Sequence, residues 1–192
     1  MGKRASHSKG KIFKKYVKVV KLYNNKKFTK AIKELKKYKK SRKSMRYILL
    51  IQKVEKYLKL GDLSFDKYKI RAIRSYQKAL EADFYLNGHY SEYLKNNIKI
   101  LYLSLSNEMF NKKMYERAYI LLSRAKLYGL SEDEYNLNVK KLEKEARRIY
   151  DKILKSKDLR FIIKNLKKIL RILPENNSVY KSAQEDLKRI YE

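Results

Sequence analysis

The sequence contains no cysteine and no tryptophan, and it has only one proline and five glycines. The absence of cysteine excludes disulfides and thiolate metal ligands. The shortage of proline and glycine leaves almost every segment free to be helical. No uninterrupted apolar run exceeds five residues, as at 47–51, whereas a membrane-spanning helix needs about 20. No signal-peptide apolar stretch follows the basic N-terminus, so we expect a cytoplasmic protein, or a nuclear one in a eukaryote.

Residues with catalytic or metal-binding chemistry are also scarce. The two histidines, His7 and His89, are far apart and have no partner at metal-ligand spacing. The glycines are isolated, so no phosphate-binding loop exists. The one dense acidic cluster is Glu132–Glu134, which follows Ser131 and favours the first turn of a capped helix over an acid/base or metal site. We therefore predict a non-enzymatic protein without a cofactor or metal.

Apolar residues recur at helical spacing along most of the chain. They predict an all-α fold of about nine helices joined by short connections, which make neighbouring helices antiparallel. We expect a disordered basic tail over residues 1–10 and a single helical-repeat domain over 11–192. Ser44 is the expected N-cap of the third helix, and Gly61 is its expected end. The predicted hairpins span about 11–43, 44–83, 90–128 and 131–172, and a final helix spans 177–191.

A short apolar motif recurs on the second helix of each predicted hairpin. A small or apolar residue is followed four and seven positions later by residues that share its helix face. The first three copies begin at Ala31, Ala72 and Ala118, and the fourth begins at Ile162 and is followed by Pro174. A small residue at the start allows the two helices of a hairpin to approach closely.

These motifs resemble the second helix of a tetratricopeptide repeat (TPR), most clearly at 71–80 and 111–118. Pro174 stands where that family often ends a repeat. The spacing of 41 to 46 residues between markers exceeds the standard unit of about 34, and the family's tryptophan is absent. The resemblance is therefore to a degenerate, elongated variant. It implies a short α-solenoid of stacked hairpins with a groove that binds a protein, and an irregular helical bundle is the alternative.

The charge is unevenly distributed along the chain. Residues 1–44 hold 18 lysines and arginines and one acid, Glu34, within a chain of net charge +30. Such unpaired charge repels itself unless a polyanion neutralises it, and phosphate backbones bind such surfaces in a salt-sensitive way. The predicted polyanion-binding residues are Lys11, Lys14, Lys15, Lys18, Lys21, Lys30, Lys33, Lys36, Lys37, Lys40, Arg42 and Lys43.

Four tyrosines are interleaved with these lysines: Tyr16, Tyr23, Tyr38 and Tyr47. If these tyrosines are exposed, they can stack on unpaired bases. Their spacing, however, places them on the apolar faces of the helices. Core packing is therefore the preferred interpretation for each.

Three functions remain open on the sequence. The first is a scaffold that contacts nucleic acid, with RNA or a ribonucleoprotein preferred over DNA and little base specificity. The second is a TPR-like adaptor that binds an acidic peptide or protein in its groove. The third, less favoured, is attachment to an anionic membrane surface through the basic N-terminus.

Overall fold

The computed structural model describes residues 16–38 and 41–192 of this chain. Within these ranges the secondary structure is helical and no strand occurs, which confirms the predicted all-α fold. The predicted tail at 1–10 lies outside the described residues. The nine described helices are α1 Val17–Asn24, α2 Phe28–Lys37, α3 Arg42–Ser64, α4 Lys69–Phe84, α5 Ser91–Asn111, α6 Tyr115–Leu127, α7 Glu132–Leu154, α8 Leu159–Ile172 and α9 Ser178–Tyr191.

The chain forms two compact units. The boundary between them lies between Leu101 and Tyr102, within α5. The prediction of one domain over 11–192 stays a prediction. No helix of the described ranges is long and apolar enough to cross a membrane.

Side-chain caps start four of the helices. Ser131 accepts a hydrogen bond from the Glu134 amide and donates one to the Glu134 carboxylate, so this capping pair occurs where the sequence predicts it. Asp158 caps α8 by accepting from the Arg160 and Phe161 amides, and Asn177 caps α9 by accepting from the Val179 amide. Each cap satisfies amide groups that the first turn of a helix leaves without a partner.

The boundaries predicted for α3 are wrong at both ends. Ser41, not Ser44, is the N-cap, because its hydroxyl accepts from the Ser44 amide. Gly61 lies inside the helix, which continues to Ser64. Gly61 is there because the Tyr76 ring of α4 packs against it, and a Cβ built on Gly61 would lie 2.6 Å from Tyr76 Cδ1.

In the first unit, helices pair in antiparallel hairpins. Near the start of α1, Lys18 forms an ion pair with Glu34, which lies near the end of α2. Lys53 in α3 likewise pairs with Glu81 near the end of α4. The marker residues Ala31 and Ala72 are fully buried in these pairs.

In the second unit, the Ser106 hydroxyl of α5 donates a 2.7 Å hydrogen bond to the backbone carbonyl of Ala118 in α6. Both residues are buried, so the two helices approach closely at the third marker. The Tyr115 hydroxyl donates to Glu145 of α7, and α8 packs on α7 and α9. Ile162, the fourth marker, is half-buried, while Leu166 on the same helix is fully buried.

Candidate polyanion-binding surface

Exposed cations cover α1, α2 and the start of α3. The described part of this region holds ten exposed lysines and arginines and a single carboxylate, that of Glu34. We call these ten the N-terminal basic surface: Lys18, Lys21, Lys26, Lys27, Lys30, Lys33, Lys36, Lys37, Arg42 and Lys43. The predicted Lys11, Lys14, Lys15 and Lys40 lie outside the described residues.

The period of the α-helix explains why the α2 lysines point to solvent. Phe28, Ala31 and Leu35 are buried and share one face of the helix. Lys30, Lys33 and Lys37 lie on the opposite face, about one turn apart, where like charges are neighbours and repel. The eight predicted cations within the described residues are therefore all exposed, as the sequence predicts.

Glu34 is half-buried between the two helices. Its carboxylate lies 3.0 Å from Lys37 Nζ and 3.5 Å from Lys18 Nζ, so it joins α1 to α2. The hydrogen bond from Lys37, with the charge of Lys18, holds the pKa of Glu34 below its usual value. The carboxylate is therefore ionised at neutral pH and neutralises part of the surface.

The other cations of the surface form no ion pair with a carboxylate of the described residues. Among the residues that the structure describes, no carboxylate forms an ion pair with Lys21, Lys30, Lys33 or Lys36. Ten cations with one carboxylate leave a strong local excess of positive charge. An excess of this kind raises the local concentration of anions and accelerates their association.

A buried polar network fixes this surface to the body of the first unit. The Tyr23 hydroxyl donates a 2.6 Å hydrogen bond to Asp83 Oδ1, and Asp83 Oδ2 accepts from the Tyr90 amide and the Ser91 hydroxyl. The Tyr90 hydroxyl donates to the backbone carbonyl of Tyr23 and accepts from the amide of Lys26. The end of α1 and the following turn are thus tied to the end of α4.

Burial has a large effect on the acidity of this network. It raises the pKa of Asp83 above its usual value, although three hydrogen bonds to the carboxylate act in the opposite direction. It also raises the pKa of Tyr23, with the nearby Asp83 charge adding to the effect, and it raises the pKa of Tyr90 to about 12. Both phenols therefore stay protonated and keep donating at neutral pH. No local motif distinguishes Asp83 in the sequence, so its part in this network could not be predicted there.

The structure separates the four interleaved tyrosines. Tyr23 and Tyr47 are buried, which confirms core packing for both. Tyr16 packs edge-on against Tyr38 and Tyr47, with ring centroids 5.0 and 5.9 Å apart. Tyr38 is 43% exposed beside the lysines of α2, so the core-packing interpretation is wrong for this tyrosine.

The acidic cluster and the second histidine of the sequence lie on separate segments of the chain. Glu132, Asp133 and Glu134 form the first turn of α7, behind its Ser131 cap. His89 is exposed and its ring meets the edge of Tyr90. The described residues contain no cluster of three side chains that could hold a metal ion.

No family model, curated protein or solved structure matches this chain. The function is therefore inferred from the geometry and charge of the described residues.

Proposed function

We propose that the protein is a non-enzymatic scaffold whose N-terminal basic surface binds the phosphate backbone of nucleic acid. RNA or a ribonucleoprotein is the preferred partner over DNA, and the proposed location is the cytoplasm. The observation that carries this proposal is the set of ten exposed cations with one carboxylate on α1, α2 and the start of α3. The Tyr23–Asp83 network holds the base of that surface in place.

The charge of the surface and its side-chain type both support binding to the phosphate backbone of nucleic acid. A protein that neutralises phosphates releases condensed counterions, so its affinity falls steeply with salt. Eight of the predicted cations are described, and seven of those are lysines. The lysine ammonium is a flexible point charge without the planar geometry that reads base edges. We therefore expect little dependence on nucleotide sequence.

We further propose that the hairpins form a degenerate TPR-like array. The burial of Ala31, Ala72 and Ala118 and the close approach at Ser106 support this assignment.

The proposal is tested by titrating labelled RNA and DNA of several sequences with the full-length protein, at a series of salt concentrations. We expect the logarithm of the affinity to fall linearly with the logarithm of salt concentration, with a slope of about −0.7 to −0.9 per phosphate neutralised. Affinities for different sequences should agree within a few-fold. No detectable binding at low salt, or binding that salt does not weaken, would refute the proposal.

A matched pair of variants locates the binding surface. The first replaces four unpaired lysines by glutamine, at Lys21, Lys30, Lys33 and Lys36. The second replaces four lysines that already form ion pairs, at Lys53, Lys59, Lys126 and Lys188. Both lose the same charge, but the first should lose more affinity and more of the salt slope. Equal losses would mean that only net charge matters.

The acidic-protein alternative is separated by competition. Poly-glutamate presents negative charge without phosphates or bases. If it displaced RNA at equal charge concentration, and if a stoichiometric protein partner survived nuclease treatment in a pull-down, the adaptor function would replace the nucleic-acid function.

A further inference from the structure

A second concentration of positive charge lies in the second unit, in two adjacent grooves. The first groove, with a volume of about 690 Å³, lies between the start of α6 and the exposed side of α8. Six cations line it, namely Lys113, Arg117, Lys164, Lys167, Lys168 and Arg171. Its one carboxylate, Glu116, already pairs with Arg171 at 3.8 Å.

The second groove has a similar volume, about 690 Å³, and shares Lys113, Tyr115 and Lys168 with the first. Arg148, Lys152 and Lys155 add three further cations on its α7 side. Of its two carboxylates, Glu145 is held by Arg148 at 2.6 Å. Both grooves are therefore strongly cationic, and Tyr115 stands where they meet.

Aromatic rings face this charge. Phe161 lines the first groove and is 38% exposed, more than a core phenylalanine would be. The ring of Tyr115 is fixed on one side by Phe110, at 5.4 Å between centroids, and at its hydroxyl by Glu145. The ammonium of Lys168 lies 5.9 Å from the centre of the Tyr115 ring. Two aromatic side chains, Tyr115 and Phe161, thus lie among the cations of the two grooves.

We infer that these two grooves bind a short stretch of single-stranded nucleic acid, with phosphates on the lysines and a base stacked on Phe161. A cationic groove that carries aromatic rings is the arrangement by which proteins bind unpaired strands without sequence preference. Grooves of this volume accommodate ligands of nucleotide size. A duplex hides its base faces, so it cannot use Phe161.

An acidic peptide fits the same grooves less well, because its carboxylates would use the cations and leave the aromatic faces without a partner. This site goes beyond the proposed function, because it lies in another unit and needs no contribution from the N-terminal basic surface. Each site therefore has variants that leave the other intact.

The absence of tryptophan from the chain provides a clean spectroscopic test. Phe161→Trp places a single indole at the proposed stacking position in the full-length protein. Leu137→Trp is the control, because Leu137 is 60% exposed in the same unit but lines a groove with Asp133, Glu134 and Glu143. Oligothymidylate and oligouridylate are the probes, and a blunt duplex of equal charge is the comparison.

We expect single strands to quench the fluorescence of the Phe161→Trp protein in a saturable, salt-sensitive way and to leave that of the Leu137→Trp protein unchanged. Replacing Lys113, Lys164 and Lys168 by glutamine in the Phe161→Trp protein should weaken the binding measured by quenching by about tenfold or more. Replacing Phe161 by alanine should weaken binding of single strands in this groove by about tenfold.

The outcomes distinguish this site from the N-terminal basic surface. The quadruple variant at Lys21, Lys30, Lys33 and Lys36, combined with Phe161→Trp, should keep the full quenching at saturation, even if the overall affinity falls. Saturated binding of single strands without quenching of the Phe161→Trp protein would overturn the inference and leave the proposed function intact. Equal quenching by duplex, or quenching by poly-glutamate in place of oligonucleotides, would also overturn it.

Discussion

The hydroxyl of Tyr23 in α1 donates a 2.6 Å hydrogen bond to Asp83 at the end of α4, and neither side chain is exposed to solvent. This contact joins residues that are 60 positions apart in the chain. A buried carboxylate is costly unless donors surround it. Tyr23, Tyr90 and Ser91 supply those donors, so the network orders the helix that carries the first lysines of the N-terminal basic surface.

We predict that Tyr23→Phe destabilises the protein, and that the loss grows with pH. The hydrogen bond from Tyr23 lowers the pKa of Asp83, against the larger effect of burial. Without it, the folded-state pKa rises further above the unfolded value of about 3.9. A raised folded-state pKa means that stability is lost as pH rises through it, and the variant loses more than the wild type.

The difference in unfolding free energy between wild type and variant should therefore be small near pH 3 to 4 and reach about 1.5–3 kcal/mol near pH 7. Urea unfolding followed by circular dichroism at both pH values measures it. Tyr68→Phe serves as the control, because Tyr68 is 63% exposed in the same unit. A loss that is the same at both pH values would show that Asp83 does not titrate as argued.

The helical class of the fold follows from local features of the sequence. Scarce glycine and proline and continuous helical periodicity predict helices over almost the whole chain, and caps such as Ser131 define where they begin. Asp83 could not be found in this way, because its partners Tyr23 and Tyr90 come from distant segments. The helix end predicted at Gly61 is wrong for a related reason. The glycine is required by Tyr76 on another helix and not by the residues next to it in the chain.

The N-terminal lysines could be predicted because charge excess and helix faces are both readable from the sequence. The grooves beside Tyr115 could not, because they combine side chains from α6, α7 and α8. The lysines of α8 also look ordinary in a chain with this many cations. The fold places them on a concave surface with Phe161 and Tyr115, which the sequence does not show.

We predict that Glu34→Gln strengthens binding of nucleic acid. The substitution frees Lys18 and Lys37 from their shared carboxylate and removes one negative charge, so the net charge of the surface rises by one. Affinity at moderate salt should rise several-fold, and the salt slope should steepen by about 1. Glu55→Gln is the charge-matched control, because Glu55 pairs with Lys59 on α3. If both variants gained equally, Glu34 would have no specific influence on the surface.

We predict that Gly61→Ala destabilises the protein. This is the opposite of the usual effect, because alanine is favoured over glycine within a helix by about 1 kcal/mol. The new Cβ would lie 2.6 Å from Tyr76 Cδ1. That ring is buried and its hydroxyl donates to Asp62 at 2.7 Å, so it cannot move aside freely. The expected net loss is about 1–3 kcal/mol, measured by urea unfolding.

A double-mutant cycle identifies the cause of that loss. In a Tyr76→Leu background the clash is relieved, so the substitution at Gly61 should become close to neutral or stabilising. A loss of the same size in both backgrounds would mean that a contact other than Tyr76 sets the cost.

The repeat interpretation makes a prediction about three alanines that are far apart in sequence. If Ala31, Ala72 and Ala118 are equivalent points of close helix approach, replacing each by leucine should cost a similar amount, about 1–3 kcal/mol or more, through overpacking. All three are buried, and the Ser106 hydrogen bond places α5 directly against Ala118. Urea unfolding of the three variants measures these costs.

Two further variants make the comparison of the three alanines specific. Ser182→Leu on the exposed side of α9 is the control for an added leucine and should be close to neutral. Ser106→Ala tests the hydrogen bond separately, because it adds no volume and removes only the hydroxyl. The expected loss in unfolding free energy is about 1 kcal/mol. Costs that differ widely among the three alanines would favour an irregular helical bundle, because a bundle has no reason to repeat the same close approach at each marker.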